Sequence, residues 1–509
     1  MRGIEGSSVR AGRRRRWRAR RTVHIALALA CLAARPTAGA PAPAGPEFQV
    51  NSYTAGDQSY PAACVTEALG RATLVWESRG EDGSGSAVML ASIGEVGTVR
   101  PVATRVNTTT EGDQQFPAVA CASNLDRIVV WESTGLDGDD FGIAAQRYAP
   151  IDAVRGGQLQ VNTHTAGRQR AAAVCADGAD GFVVAWQSEG QDGDGNGIFA
   201  QRFDAANARA GGELPVNSFT VDTQQQPTIA CTDAGGFVVV WQSRGQDGDG
   251  DGIFAQRFAA DGARAGGEFL VNQVTLGNQR HAAIATDPAG GFVVAWNSHD
   301  DQDGDSDGVF ARRFDAAGTA QGGEFQVNAY TRHRQEQPSI APGRDGFTIA
   351  WSSGHDGDQA GVFARRFDAT GIAQGGEFQV NTYTVGVQGA LSAQSHALAA
   401  AGNTRGDLVI AWQSTRLLAG SQDGDGAGIF AQRFAPPLPA CRGDCDGDGN
   451  VAIPELIRAV GLALDGAAPT TCAALDADAN QRVSVAELIG AVGAALNGCP
   501  AALAQGAMR

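Results

Sequence analysis

The sequence contains no lysine, so all 39 of its basic residues are arginines. Schiff-base catalysis and a phosphate loop built around lysine are therefore excluded. The histidines are scattered and form no HExxH motif, and we find no catalytic constellation in the sequence. No apolar run approaches the roughly 18 residues of a membrane-spanning helix, so we expect no integral membrane segment.

Charge is distributed unevenly along the chain. The first forty residues hold ten arginines and one acid, Glu5, ahead of a short apolar run at 23–34 and a small-residue stretch at 38–40. This order predicts a signal peptide over residues 1–40 and a secreted or cell-surface protein. Its removal leaves 29 arginines and 54 acidic residues, a net charge of −25. Such a charge repels nucleic acid, so we expect no nucleic-acid partner.

Tryptophan recurs with a fixed period. Seven of the eight tryptophans stand at intervals of 55, 55, 55, 55, 55 and 61 residues, namely Trp76, Trp131, Trp186, Trp241, Trp296, Trp351 and Trp412. Around each, four apolar segments recur, as in 213–217, 226–230, 236–243 and 252–258. Short segments rich in Val, Ile and Phe and bounded by Gly, Asp or Asn are typical of strands. Seven four-stranded copies predict a mainly β fold, a seven-bladed propeller over residues 47–434, and they resemble the blades of bacterial β-propellers.

The ends of the array predict how the ring closes. An isolated copy of the first segment stands at 47–51, and the last copy ends at Phe434 without the segment that follows every other copy. If each blade takes its outer strand from the start of the next repeat, 47–51 completes the seventh blade and leaves no open sheet edge. The third segment is apolar on both faces, so we expect its tryptophan to pack between blades; sugar stacking is the alternative.

Two further features recur in the blades. We expect repeated Gln–Arg pairs such as Gln256-Arg257 to form structural hydrogen bonds between blades. Copies one to four carry one cysteine each near the end of the second segment, namely Cys64, Cys121, Cys175 and Cys231. We interpret these cysteines as small buried side chains, with disulfides between adjacent blades as the alternative.

Alternating aspartates occupy the loop between the third and fourth segments, as in the GQDGDGDG of 245–252. Copies three to five carry the full pattern Asp-x-Asp-x-Asp/Asn-Gly, and oxygen side chains at this spacing suit a calcium ion. None has the closing glutamate of a calcium loop, since its place is taken by Phe203, Phe258 or Phe314. A polar turn and a weak calcium site both remain open. The candidate ligands are Asp192, Asp194, Asn196, Asp247, Asp249, Asp251, Asp303, Asp305 and Asp307.

A different composition follows a proline-rich linker at 435–440. Two 12-residue stretches, 444–455 and 476–487, carry oxygen side chains at positions 1, 3 and 5 and a glutamate at position 12, which is the EF-hand pattern. The predicted cofactor is Ca²⁺. The predicted ligands of the first loop are Asp444, Asp446, Asp448, the carbonyl of Asn450, and Glu455. Those of the second loop are Asp476, Asp478, Asn480, the carbonyl of Arg482, and Glu487.

Each loop runs into a helix, predicted at 455–464 and 487–496, and prolines crowd the place of an entering helix. A duplicated loop with only its exiting helix resembles the type I dockerin family, so we expect residues 441–499 to form a dockerin-like α-helical module. The resemblance implies calcium binding and a cohesin-like partner. Where that family carries a Ser/Thr pair for docking, this chain has 453–454 (Ile-Pro) and 485–486 (Val-Ala). Four cysteines in a small exported module imply two disulfides, and we favour Cys441–Cys499 with Cys445–Cys472.

Two functions follow. The first is an exported, non-catalytic calcium-binding protein whose ring binds an extracellular glycan or protein. The second is a carbohydrate-active enzyme, a glycoside hydrolase or polysaccharide lyase, because dockerin-like modules accompany such enzymes. A glycosidase would need two carboxylates facing one sugar in the central cleft.

Overall fold

A computed structural model describes the ring and parts of the C-terminal region. The described residues are 41–93, 103–150, 152–299, 302–357, 359–389, 397–415, 422–434, 451, 453–465, 475, 483–484, 488–489, 491–492 and 495. The predicted signal peptide and linker lie outside them. Among the described residues, no helix is long and apolar enough to cross a membrane.

Seven antiparallel sheets follow one another along the described chain, and each sheet is one blade. The chain opens with β1 (Phe48–Gln49). Blade 1 contains β2 (Gln58–Val65), β3 (Ala72–Arg79), β4 (Ser86–Ile93) and β5 (Thr104–Arg105). Blade 2 contains β6 (Gln114–Cys121), β7 (Arg127–Thr134), β8 (Phe141–Tyr148) and β9 (Val154–Gln160). Blade 3 contains β10 (Gln169–Ala176), β11 (Phe182–Glu189), β12 (Asn196–Phe203) and β13 (Leu214–Pro215).

The remaining blades repeat the plan. Blade 4 contains β14 (Gln224–Cys231), β15 (Phe237–Arg244), β16 (Asp251–Phe258) and β17 (Phe269–Leu270). Blade 5 contains β18 (Gln279–Thr286), β19 (Phe292–Ser298), β20 (Gly308–Phe314) and β21 (Phe325–Gln326). Blade 6 contains β22 (Gln335–Gly343), β23 (Gly346–Ser353), β24 (Gly361–Asp368) and β25 (Phe378–Gln379). Blade 7 contains β26 (Val387–Gln388), β27 (Leu398–Gly402), β28 (Leu408–Thr415) and β29 (Ala427–Phe434).

The ring closes through β1, as the ends of the array predict. β1 pairs antiparallel with β29, with Phe48 opposite Ala431 and Gln49 opposite Phe430. The Val50 N–H then donates to the Ile429 carbonyl at 2.8 Å. The inner strands of neighbouring blades contact one another all the way around, from blade 7 back to blade 1. The seven-bladed propeller is therefore confirmed, and its last blade is shared between the two ends of the array.

The core lies between blades. All seven repeat tryptophans are at most 1% exposed. Trp241 of blade 4 packs against Val183, Ala185 and Ile198 of blade 3, while Val240 faces blade 5. The prediction that tryptophan packs between blades is confirmed, because the two-sided apolar strand buries one face on each neighbour.

The four blade cysteines form two disulfides, which confirms the alternative of bonds between adjacent blades over the preferred interpretation. Cys64 bonds to Cys121, and Cys175 bonds to Cys231, with Cα atoms 5.6 Å and 5.5 Å apart. Each bond joins the inner strands of adjacent blades. Equivalent inner-strand positions therefore lie within disulfide reach across a blade boundary.

The glutamine and the arginine of each Gln–Arg pair make different structural hydrogen bonds. In blade 3, the Gln201 side chain donates to the Gly211 carbonyl of its own blade at 3.1 Å. Arg202 donates to the Asp261 carbonyl, in the turn between the third and fourth strands of blade 4, at 2.7 Å. The prediction of bonds between blades therefore holds for the arginine, whereas the glutamine stabilises its own blade.

In the C-terminal region, α1 (Ile453–Asp465) confirms the first predicted exiting helix. Ala459 packs with Leu475, Val483 and Ala491 in a small cluster. The helical residues 488–489, 491–492 and 495 fall within the second predicted helix. The described residues thus contain part of a small helical module, and its dockerin-like arrangement stays a prediction.

Candidate functional site at the hairpin face

The aspartate loops are the hairpins between the second and third strands of each blade, and we call the ring face that carries them the hairpin face. Their first aspartate closes a clasp with the asparagine that follows the fourth strand. In blade 3, Asn217 Nδ2 donates to Asp192 Oδ2 at 2.9 Å, and its Oδ1 accepts the Ile198 N–H at 2.7 Å. Blade 5 repeats the clasp between Asn328 and Asp303 at 2.9 Å. This aspartate therefore ties the hairpin to the outer strand.

The other loop carboxylates contact the next blade. In blade 4, Asp249 Oδ2 accepts the Gly277 N–H at 3.0 Å, and Arg280 Nε donates to Asp251 Oδ2 at 2.5 Å. Asp194 and Asp305 repeat the first contact. Each carboxylate of blade 4 thus has a different protein partner. Within the described part of the chain, no three His, Cys, Asp or Glu side chains are grouped to hold a metal ion. Calcium binding by these loops stays a prediction.

The predicted ligands of the C-terminal module fall almost entirely outside the described residues. These are Asp444, Asp446, Asp448, Asn450, Asp476, Asp478, Asn480, Arg482 and Glu487. The exception is Glu455, which lies in the first turn of α1 and is 6% exposed. Its place at the start of the exiting helix is the one the calcium-loop pattern requires. The four module cysteines also lie outside the described residues.

In blades 1 to 6 the inner strand carries a bulge where it reaches the hairpin face. The strand register shifts there, and the bulged residue adopts a left-handed backbone in six blades, at Tyr60, Phe116, Ala171, Gln226, His281 and Gln337. Non-glycine residues with positive φ are uncommon, and bulges of this kind re-aim side chains and concentrate near functional sites. We therefore take the part of the hairpin face nearest the ring axis, which we call its axis end, as the candidate functional site.

Aromatic side chains break the seven-fold repeat in blades 1 and 2. Tyr60 and Phe116 hold the bulge position, and their ring centroids are 4.6 Å apart. Both side chains are half-buried. Blade 3 carries the much smaller Ala171 at this position. The pair forms an aromatic surface on one side of the axis, and we call it the aromatic pair.

Two buried carboxyl groups lie beside the aromatic pair. Glu77 and Glu132 follow the core tryptophans of blades 1 and 2, and each accepts the backbone N–H of the bulged residue in the next blade. Burial raises the pKa of Glu77 to about 7 and that of Glu132 to about 8. Arg170 Nε lies 3.9 Å from Glu132, too far to hydrogen-bond. Glu77 also accepts the Ser86 hydroxyl at 2.7 Å.

A second titratable cluster lies between blades 5 and 6. His299 Nδ1 is 2.5 Å from Asp307 Oδ1, and Arg334 Nε is 3.6 Å from Asp307 Oδ2. Glu336 stands where Arg280 stands one blade earlier, so a second carboxyl group, rather than a guanidinium, hydrogen-bonds with the hairpin carboxylate Asp307. Burial and the adjacent Asp307 raise the pKa of Glu336. Burial acts most strongly on the pKa of Asp307 and would raise it, but the hydrogen bonds with His299 and Glu336 and the charges of His299 and Arg334 together lower it. The two acids therefore favour a shared proton.

The aromatic pair, the two buried glutamates and the Asp307–Glu336 pair were not predicted from the sequence. Aligning the copies would have exposed the glutamates, because the residue after tryptophan is glutamine in blades 3, 4 and 7. It would also have shown tyrosine and phenylalanine before a proline in the first two copies. The proximity of Asp307 to Glu336 needed the register between two blades.

Comparisons with known proteins show fold neighbours without a family. No protein-family model and no curated protein matches the chain. A protein of unknown function from Dyadobacter fermentans DSM 18053 is 11% identical, spans 77% of this chain and 99% of its own, and has a TM-score of 0.45. An α-L-arabinofuranosidase from Fusarium graminearum is 9% identical over 61% of this chain and 94% of its own, with a TM-score of 0.41. An α-L-arabinanase from Penicillium chrysogenum is 12% identical over 76% and 98%, with a TM-score of 0.41. Similarity at this level carries no argument about substrate or mechanism.

Proposed function

We propose that the chain is an exported glycan-binding propeller whose site is the axis end of the hairpin face. The observation that carries this proposal is the aromatic pair, Tyr60 and Phe116, at the bulge position of two adjacent inner strands. Sugar rings present an apolar C–H face that packs on aromatic rings, while their hydroxyls hydrogen-bond to polar side chains around the contact. Glu77 and the exposed Asp113 supply acceptors beside the pair.

The charge of the mature chain favours a neutral or cationic saccharide over a polyanionic one. Acidic residues crowd the hairpin face, and a dense polyanion would be repelled from it. The aromatic pair also spans only two adjacent blades. We therefore expect recognition of a short stretch of saccharide rather than of a whole fibre surface.

A carbohydrate-active enzyme is the second candidate, and the perturbed carboxyl groups favour it. A glycosidase needs one carboxyl that still carries a proton near neutral pH. Glu77, with a pKa of about 7, meets this requirement, and the pKa of Glu336 is shifted in the same direction by burial and by Asp307. Glu132 is 2% exposed, so it would position Ala171 of the next blade rather than touch a substrate.

One screen separates the two candidates. Calcium-loaded protein is incubated with a panel of polysaccharides, and both retention of protein and release of reducing or unsaturated sugar ends are measured. Retention without release supports binding. Release that Glu77→Gln or Glu336→Gln abolishes supports the enzyme. Neither retention nor release on any polysaccharide contradicts both.

For the C-terminal module we propose calcium-dependent docking to an extracellular protein of the cohesin-like kind. One side of α1 is apolar and exposed, through Ile453, Ile457, Val460 and Leu464. Ile489 and Val492 repeat Ile457 and Val460 in the second half of the module and are exposed too. Exposed apolar stripes of this kind are typical of partner surfaces. Pull-down with a cohesin, with and without chelator, tests this assignment, and no capture in calcium would contradict it.

A further inference from the structure

The opposite face of the ring, which carries the turns between first and second strands and between third and fourth strands, contains a cavity of about 470 Å³. It lies between blades 6 and 7. Blade 6 lines it with the turn at 342–348, with Arg366 and with Gln374, and blade 7 contributes Asp407. Pro41, at the start of the described chain, lies at its border. Cavities of this size hold small organic ligands.

The cavity lies beside the closure of the ring. In blades 3 to 6, a turn joins the third strand to the fourth, and it receives an arginine from the preceding blade. Arg202 donates to the Asp261 carbonyl, and Arg313 donates to the Thr370 carbonyl at 2.7 Å. The fourth strand of blade 7 is β1, which arrives from the other end of the array. β29 and β1 are therefore not consecutive strands joined by such a turn, and the cavity lies between blades 6 and 7 on this face.

Arg366 holds the equivalent position in blade 6, and it lines the cavity. In the described part of the chain, its guanidinium has no hydrogen bond and no ion pair within 4.0 Å. Burial lowers the pKa of Arg366, and the nearby charge of Asp345 opposes this shift only in part. Arg366 is half-buried, so its guanidinium is only partly hydrated, and a bound anion would supply the charged hydrogen-bond partner that the described residues do not.

The acids around the cavity narrow the choice of anion. Asp368 accepts the Thr370 hydroxyl and the Ile372 N–H, and Asp407 lies 3.5 Å from Arg433. Asp345 remains exposed at the border. These carboxylates disfavour a dianion such as phosphate, and Asp345 can accept a hydroxyl from the ligand. A ligand with one carboxylate and several hydroxyls could place the carboxylate on Arg366 and donate a hydroxyl to Asp345.

We infer that this cavity binds a small hydroxylated carboxylate, with Arg366 holding the carboxylate. The inference does not rest on the proposed glycan site, which lies on the opposite face and involves other blades. Arg366 and Arg313 hold equivalent positions in adjacent blades. Arg313 donates a hydrogen bond to the Thr370 carbonyl, whereas Arg366 has no hydrogen-bond partner among the described residues. They provide a matched pair of variants.

The test is calorimetric titration of the purified protein with glucuronate, glucose, acetate and inorganic phosphate. We expect saturable glucuronate binding in the millimolar range or tighter, with weaker binding of acetate and none of glucose or phosphate. Arg366→Gln should weaken glucuronate binding by about tenfold or more without lowering Tm. Arg313→Gln should lower Tm, because it loses the bond to Thr370, and should leave glucuronate binding intact.

Four results would overturn the inference. They are no glucuronate binding at millimolar concentration, equal binding by the Arg366→Gln variant, binding of glucose as tight as that of glucuronate, and a preference for phosphate. A fall in Tm for Arg366→Gln as large as that for Arg313→Gln would show that Arg366 is structural and would also count against it.

Discussion

Single residues set the chemistry where the inner strands meet the hairpin face. At the position after the core tryptophan, Gln187 accepts the bulge N–H of Gln226 at 2.9 Å, and Glu132 accepts that of Ala171 at 2.7 Å. Amide and carboxylate oxygens perform this duty equally, but only the carboxyl group titrates. The exchange of glutamine for glutamate therefore adds pH dependence to two of the seven blades.

Glu132→Gln should remove part of the pH dependence of folding stability. The pKa of Glu132 is about 8 in the folded chain against 4.5 for an unperturbed glutamate. Between these values the folded state holds a proton that the unfolded state has lost, so the free energy of unfolding falls as pH rises. At pH 8 the variant should be more stable than wild type by about 2 kcal/mol or more, and at pH 4.5 nearly equal. Denaturant melts across this range measure the difference.

The reciprocal change provides the control. Gln187→Glu places a carboxyl at the equivalent site of blade 3, so it should create a similar loss of stability above pH 5. Parallel pH profiles for wild type and Glu132→Gln would show that burial at this site does not perturb the glutamate.

Residue types predicted the hairpins well but not their partners. The aspartate pattern predicts turns, and the structure confirms turns. It does not predict that Asp192 ties to Asn217 while Asp249 caps the next blade, because those partners come from segments more than twenty residues away. The spacing of the aspartates alone therefore could not distinguish a polar turn from a calcium site.

At the scale of elements, the short strand β1 has an effect far beyond its two residues. It completes blade 7, and Asn51 joins the closure by accepting the Ile429 N–H at 2.8 Å and donating to Asp423 at 3.3 Å. An edge left open on β29 would be a template for pairing with other chains.

Deleting residues 1–51 should destabilise the whole ring. The variant loses the outer strand of blade 7 and exposes the edge of β29, so we expect a lower Tm and concentration-dependent aggregation. Deleting residues 1–40 is the matched control and should leave Tm unchanged. A deletion of 1–51 that melts like the control, by calorimetry and light scattering, would show that β1 contributes little to closure.

The C-terminal loops should couple their folding to calcium. Glu455 opens α1, so an ion bound through it would stabilise the first turn of that helix. Chelation should therefore lower the Tm of the C-terminal module, and Glu455→Gln should reduce the calcium effect. Identical melts with and without chelator would contradict the predicted sites.

At the scale of the whole molecule, the fold was predictable and the site was not. A period of 55 residues, two-faced apolar strands and an orphan first segment were enough to predict seven blades and their closure. The candidate site is different in kind, because it arises where the copies differ. Tyr60 comes next to Phe116 only when inner strands of successive blades are brought side by side. The two disulfides were predicted only as an alternative, because one cysteine at the same position of four successive copies fits a small buried side chain as well as a bond between adjacent blades.

The ring also has two chemically distinct faces. The hairpin face holds the aromatic pair and the perturbed carboxyl groups. The opposite face holds the cavity beside the closure. A ring of seven identical blades would have neither the aromatic pair nor the cavity. Both features occur where particular blades differ from the repeat.

The most direct test of the proposed glycan site uses a short saccharide from a polysaccharide that retains the protein in the screen. This saccharide is titrated calorimetrically into three proteins. These are wild type, a Tyr60→Ala/Phe116→Ala double variant and Gln226→Ala, which changes the same bulge position in blade 4. The account predicts that the double variant loses about tenfold or more in affinity, about 1.4 kcal/mol, while Gln226→Ala binds like wild type. Equal affinity in the double variant and wild type would contradict it.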